Sequence, residues 1–135
     1  MELADTSAWT NRYRDPAVRK DFDSRVLAGG VATSPPVLME MLWSARDVRE
    51  FARIETNLAA LPQLGVSPAA WERAVGVWRE LLRLGRHRQV GRTDLVVAAV
   101  AELAGVPVCH YDRHFEVIAE VTGQSLRAIA PLGTL

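Results

Sequence analysis

The chain has one cysteine, Cys109, and one lysine, Lys20. A lone cysteine rules out an internal disulfide and any zinc cluster built on several thiolates. It fits a reducing, cytoplasmic setting. An excess of charge of either sign is also missing, since sixteen basic residues balance sixteen acidic ones. A net charge of zero exerts no global pull on nucleic acid or on an anionic membrane. Any RNA site must therefore be a local patch. No apolar run approaches the ~20 residues that a membrane helix needs. The first residues show neither the charged n-region nor the apolar h-region of a signal peptide. No internal repeat, low-complexity stretch or interdomain linker stands out.

What is present points to one globular domain over residues 1–135. Apolar residues make up 49% of the chain and charged ones 24%, enough to build one core and too apolar for a disordered segment. Leu3-Ala4 reads as a very short strand. Thr6 or Ser7 then caps a helix that begins at Ala8-Trp9. Asp15-Pro16 opens a second helix, with Val18, Phe22, Val26 and Leu27 on one face and Gly29-Gly30 at its end. Val31-Ala32-Thr33 is a second strand, and Ser34-Pro35 restarts helix, with Val37, Leu38, Met41 and Leu42 as its apolar stripe. Asp47 caps the next helix, which carries Phe51, Ile54, Leu58 and Leu61. Residues 62–66 form a strand or a loop. Ser67-Pro68 opens a helix to about Leu84, with Trp71, Val75, Trp78, Leu81 and Leu82 inward. A basic loop, 85–91, leads to a helix from near Thr93 to Leu103, closed by Gly105. Residues 106–111 read as a buried strand, followed by a helix with Phe115 and Ile118 that ends at Gly123. A last strand falls in Leu126 to Ile129.

Strands alternating with helices predict an α/β domain with a mainly parallel sheet. Such sheets bind ligands beyond the carboxyl ends of their strands. Asp5 and Asp112 each follow a strand, which puts both at that edge. Asp94 sits in the first turn of a very apolar helix, and Glu40 lies among Leu38, Met39, Met41 and Leu42. Carboxylates in apolar company need partners. Several of them facing one cleft repel unless a cation neutralises them, and oxygen ligands suit Mg²⁺, Mn²⁺ or Ca²⁺. Phosphodiester hydrolysis is the chemistry this suits. Each acid also has an ordinary explanation. Asp94 answers a helix dipole, Asp112 and Asp5 cap helices, and Glu40 faces solvent. Spacing alone does not bring the four together.

Four segments in order resemble the PIN-domain family. They are Leu3-Ala4-Asp5-Thr6-Ser7-Ala8-Trp9, Pro36-Val37-Leu38-Met39-Glu40-Met41-Leu42, Gly91-Arg92-Thr93-Asp94-Leu95-Val96-Val97-Ala98-Ala99 and Val108-Cys109-His110-Tyr111-Asp112-Arg113-His114-Phe115. The chain is most similar to VapC-type toxins of bacterial toxin–antitoxin pairs. The resemblance implies a PIN-like α/β fold, a small parallel sheet with helices on both faces. It implies an endoribonuclease dependent on Mg²⁺ or Mn²⁺, in which a metal-activated water attacks RNA. Asp5, Glu40, Asp94 and Asp112 match the acidic positions. Asp5 and Asp94 are expected to touch metal directly, and Glu40 and Asp112 directly or through water. Thr6 or Ser7 would orient the first carboxylate. A VapB-like antitoxin, an RNA substrate and a second copy of the chain are the implied partners, with no membrane.

Two departures stand out. Many relatives have an acid at the position of His114, so one firmly held metal is expected, with a second optional. The first strand is also short, which suggests either truncation at a sheet edge or a start assigned too late. The same scaffold could serve as a catalytically inactive RNA- or protein-binding module. A phosphotransfer receiver also gathers aspartates at strand ends, but it wants a lysine in the final third, and the only lysine is Lys20.

Arg86, Arg88 and Arg92 are candidate RNA contacts, with a solvated helix end as the plainer reading. Trp9 and Trp43 are candidates to stack bases or grip an antitoxin segment. Trp71 and Trp78, seven apart, read as core residues. His110 and Cys109 fall in a buried strand. Adjacent strand residues face opposite ways, which argues against a Cys-His nucleophilic pair there.

Overall fold

A computed structural model describes all 135 residues. Four short strands, β1 (Glu2–Ala4), β2 (Val31–Ala32), β3 (Val108–His110) and β4 (Leu126–Ala128), form one sheet in the order β2-β1-β3-β4. Every neighbouring pair is parallel. The seven α-helices are α1 (Thr6–Asn11), α2 (Pro16–Leu27), α3 (Pro35–Trp43), α4 (Val48–Ala59), α5 (Pro68–Arg83), α6 (Arg92–Ala104) and α7 (Arg113–Thr122). A 3-10 turn at Arg12–Arg14 joins α1 to α2.

The predicted α/β class holds. All three residues of β1 and all three of β3 are buried. Since consecutive strand residues point to opposite faces, both faces of the sheet are covered. The length of the first strand suggests an edge position, but the strand does not occupy one. It lies inside the sheet, with Leu3 paired to Ala32 on one side and Val108 on the other. Two ladders compensate for its three residues. Residues 62–66 form a loop held by one bridge, Thr33 to Gln63.

The cap chemistry accounts for most helix starts. Asp15 accepts from Ala17 and Val18 N–H ahead of Pro16, Asp47 from Glu50 N–H, and Ser67 from Ala70 N–H. Helix α1 departs from expectation. Its cap is Asp5 itself, and Thr6 and Ser7 are already inside the first turn. Helix α6 is buried continuously from Asp94 to Ala101, so it is the central helix of the core. It stops at Gly105, whose φ of 70° suits a residue without Cβ.

The inward face of α5 also differs from expectation. Ala70, Ala74, Val77 and Leu81 are buried, whereas Trp71, Val75 and Leu82 are exposed and Trp78 is partly buried. This helix has two apolar stripes, and the one with small alanines fits against α6, so bulk alone misidentifies the buried side. Trp9 is buried edge-on against Phe22, with ring centroids 4.9 Å apart, so it packs into the core, and it also lines a groove with Val26 and Met41. No helix is long and apolar enough to cross a membrane.

Candidate metal centre

From β1 the chain crosses to β2 on one side of the sheet, and later returns to β3 on the other. The carboxyl ends of β1 and β3 therefore flank a reversal of strand order, where parallel sheets open a crevice. Asp5 leaves β1 there, and Asp112 leaves β3 two residues beyond His110.

Asp5 is only 2% exposed. Its Oδ2 accepts from the Ser7 backbone N–H at 2.9 Å and from Ser7 Oγ at 2.6 Å. Ser7 Oγ in turn accepts from Tyr111 N–H at 2.9 Å, which fastens the β1 end to the β3 end. Asp5 Oδ1 is buried with no hydrogen-bond partner. Such an orphan is costly unless something else satisfies it. Burial pushes the Asp5 carboxyl above the usual range, against the lowering effect of Ser7, and the charge of Asp112 adds to the rise.

Asp94 lies in the first turn of α6. Its Oδ2 takes the Gly91 N–H at 3.3 Å and the His114 Nδ1 at 2.7 Å. Burial raises its pKa to about 6. His114 opposes the rise, and the charges of Asp5 and Asp112 add to it. Asp112 caps α7 through Oδ1, which accepts His114 N–H at 2.9 Å. The same Oδ1 is 3.6 Å from His114 Nδ1. Glu40 stands exposed on α3 beside Thr6. Partial burial raises its pKa, and Asp5 and Asp112 contribute. The fold thus brings the four acids within electrostatic reach of one crevice. Capping and convergence coexist: Asp5 caps with one oxygen and leaves the other unbonded.

Sequence reasoning placed His114 as a departure from the acidic pattern, not as part of the cluster. Ligand atoms of Asp94, Asp112 and His114 lie within 4.8 Å of one another. The signal was available, since His114 sits two residues after Asp112, in the first turn of its helix. The donors fit a divalent cation: hard oxygens, one imidazole and a buried carboxylate oxygen without a partner.

A groove of about 520 Å³ runs past Asp94 and Glu40, lined also by Trp78, His87, Arg88 and Arg92. Arg88 and Arg92 thus sit beside the acids. Arg86 does not line it, because its guanidinium is bonded to Glu120 on α7 and to Gln89. Trp43, 90% exposed, lines an adjoining hollow with Met39, Trp71 and Arg92. His110 is a core residue, as expected. Its Nδ1 accepts the Asp112 N–H at 3.1 Å, and burial lowers its pKa. Cys109 is buried, and its thiol is pushed up to about 12 chiefly by burial.

Comparison with known proteins agrees with this architecture. The sequence model of the PIN domain matches residues 3–121. Ribonuclease VapC18 of Mycobacterium tuberculosis is 36% identical over 133 residues, covering 97% of this chain and 96% of that protein. Ribonuclease VapC51 of the same organism is 37% identical over 134 residues, covering 98% and 96%. Among solved structures, DNA-bound VapBC from Salmonella typhimurium aligns with a TM-score of 0.76 at 23% identity, covering 96% of this chain and 100% of that one. FitAcB from Neisseria gonorrhoeae aligns with a TM-score of 0.73 at 17% identity, covering 98% and 100%. Those two structures share the fold, while the relatives and the domain match, both nearly full length, assign the family: the chain belongs to the PIN-domain proteins, among the VapC ribonucleases.

Proposed function

We propose that this protein is a divalent-cation-dependent endoribonuclease and the toxin of a toxin–antitoxin pair. The observation that carries the reading is the crevice itself. Asp5 keeps a buried, unpartnered oxygen beside three further acids. Burial raises the pKa values of Asp5, Glu40 and Asp94, and the neighbouring carboxylates add to each rise.

Asp5 and Asp94 would hold Mg²⁺ or Mn²⁺ directly, and Glu40 and Asp112 directly or through water. When bound, the cation would neutralise phosphate charge and make a water a better nucleophile. The chain's own residues do the rest. Ser7 fixes the Asp5 carboxylate through two hydrogen bonds, and Thr6 flanks Glu40. Glu40, exposed at the rim, is free to accept a proton from an attacking water. Arg88 and Arg92 line the groove where RNA phosphates would lie and would position the backbone beside Asp94.

The partners follow from surfaces and relatives. Two structural neighbours, a toxin–antitoxin complex from Klebsiella pneumoniae and a member of the VapBC family of toxin–antitoxin systems from Mycobacterium tuberculosis, support an antitoxin partner. A second groove of about 520 Å³, lined by Val26, Met41, Ile54, Leu58 and Leu61, offers an apolar seat for a segment of it. Exposed Met39 and Trp43 on α3, with Trp71 and Val75 on α5, make an apolar surface suited to a second copy of the chain.

Antitoxin-free protein should cleave RNA in Mg²⁺ or Mn²⁺. EDTA or Asp94→Asn should abolish cleavage. Cleavage that survives both would falsify this reading. A protein that binds neither ion by calorimetry would instead be an inactive binding module.

A further inference from the structure

We propose that His114 is a nitrogen ligand of the bound cation through Nδ1, and that it biases the site toward first-row transition ions over Mg²⁺. This deepens the reading of the crevice as a cation-dependent nuclease centre and rests on it.

The geometry comes first. His114 Nδ1 is 2.7 Å from Asp94 Oδ2 and 3.6 Å from Asp112 Oδ1. Two ligands each about 2.1 Å from one ion stand roughly 3 Å apart when adjacent and about 4 Å when opposite. The three donor atoms, all within 4.8 Å of one another, already have nearly that spacing. A cation seated between them replaces the hydrogen bond that His114 and Asp94 now share.

The ring is held by its Nδ1 contact to Asp94 Oδ2. His114 lies in the first turn of α7, and its backbone N–H bonds to Asp112 Oδ1. The imidazole is 42% exposed, so an ion can reach it from solvent. The other two imidazoles are not equivalent: His110 Nδ1 already accepts the Asp112 N–H, and His87, which lines the groove, is not in the cluster of ligand atoms with Asp94 and Asp112. An independent feature marks the same crevice as a cation site. Asp5, 2% exposed, keeps Oδ1 without any hydrogen-bond partner.

Chemistry then sets the preference. Mg²⁺ favours oxygen donors and dehydrates reluctantly. Imidazole favours transition ions. A neutral nitrogen in place of a carboxylate also removes one negative charge, which weakens the purely electrostatic hold on Mg²⁺ more than the hold on an ion that gains from nitrogen coordination.

Pulsed EPR on the Mn²⁺-loaded full chain reads the ligand directly, without activity. The wild type should show ¹⁴N coupling from a coordinated imidazole. His114→Asp should bind Mn²⁺ without that coupling. In calorimetry with Mg²⁺ and Mn²⁺, the wild type's preference for Mn²⁺ should fall about tenfold in that variant. His114→Asn provides a second variant, expected to lose the coupling as well. The idea is overturned if Mn²⁺ binds the wild type without ¹⁴N coupling, if the coupling persists in both variants, or if the preference is unchanged. In all three cases the nuclease reading still stands. A wild type that binds neither ion removes both.

Discussion

Ser7 Oγ accepts the Tyr111 N–H at 2.9 Å, across 104 residues of sequence, while donating to Asp5 Oδ2 at 2.6 Å. One hydroxyl therefore sets both the first carboxylate and the separation of the two strand ends that carry the acids. Ser7→Ala leaves the Tyr111 N–H unpaired and releases one bond to Asp5. We expect a loss of about 1–3 kcal/mol in urea denaturation. RNA cleavage should fall by about tenfold or more, because the carboxylate is no longer fixed. Ser7→Thr, which keeps the hydroxyl, should recover part of both. A variant as stable and as active as the wild type would show that the bridge is dispensable.

Gly91 should be required by the site rather than by the fold. Its φ is −81°, open to any residue. A Cβ there would lie 2.9 Å from Asp94 Oδ2. Gly91→Ala should therefore displace the Asp94 carboxylate with little loss of stability. Cation affinity, measured by calorimetry, should drop about tenfold or more, with a melting temperature near that of the wild type. Unchanged affinity would mean that Asp94 does not need its present position.

Much of this was legible beforehand, and the reasons differ by residue. Asp15-Pro16, Asp47 and Ser67-Pro68 marked helix starts because a cap is local chemistry, decided within four residues. Asp5 and Asp112 could be placed at the sheet edge because parallel strands end there. Convergence of Asp94 and Glu40 on that edge was not readable, since it depends on how α6 and α3 pack. The same limit explains α5. Two apolar stripes run along it, and only the neighbouring α6 decides that Ala70 and Ala74, not Trp71 and Val75, face inward. Arg86 followed the charge pattern of Arg88 and Arg92, yet a tertiary partner, Glu120, holds it elsewhere.

Metal-free protein should lose stability as pH rises from about 4 to about 6. Asp94 has a folded pKa of about 6 against an ordinary value of 3.8. In that window the native state holds a proton that the unfolded state has released, so raising the pH favours unfolding. Asp5 shifts in the same direction. His110, lowered by burial, works oppositely near pH 6.5 and below. The informative comparison is therefore Asp94→Asn against the wild type in EDTA. The variant should match the wild type near pH 4 and exceed it above pH 6, by up to about 3 kcal/mol. Parallel pH profiles would mean that Asp94 is not strained by its surroundings.

The arginines should separate by function. Arg88 and Arg92 line the groove beside Asp94, whereas Arg86 is half-buried against α7 and paired with Glu120. RNA binding can be measured on Asp94→Asn protein, so that the substrate survives. In that background Arg88→Ala and Arg92→Ala should each weaken binding uniformly across sequences. Each should also flatten the salt dependence, since a lost phosphate contact releases one fewer counterion, about 0.7 in the logarithmic slope for a single strand. Arg86→Ala should leave the slope unchanged and cost at most about 1 kcal/mol of stability, the usual worth of a partly exposed ion pair. If Arg86→Ala flattened the slope as much as the other two, the bond to Glu120 would have to open on RNA binding, and the groove beside Asp94 would extend toward the last turn of α7.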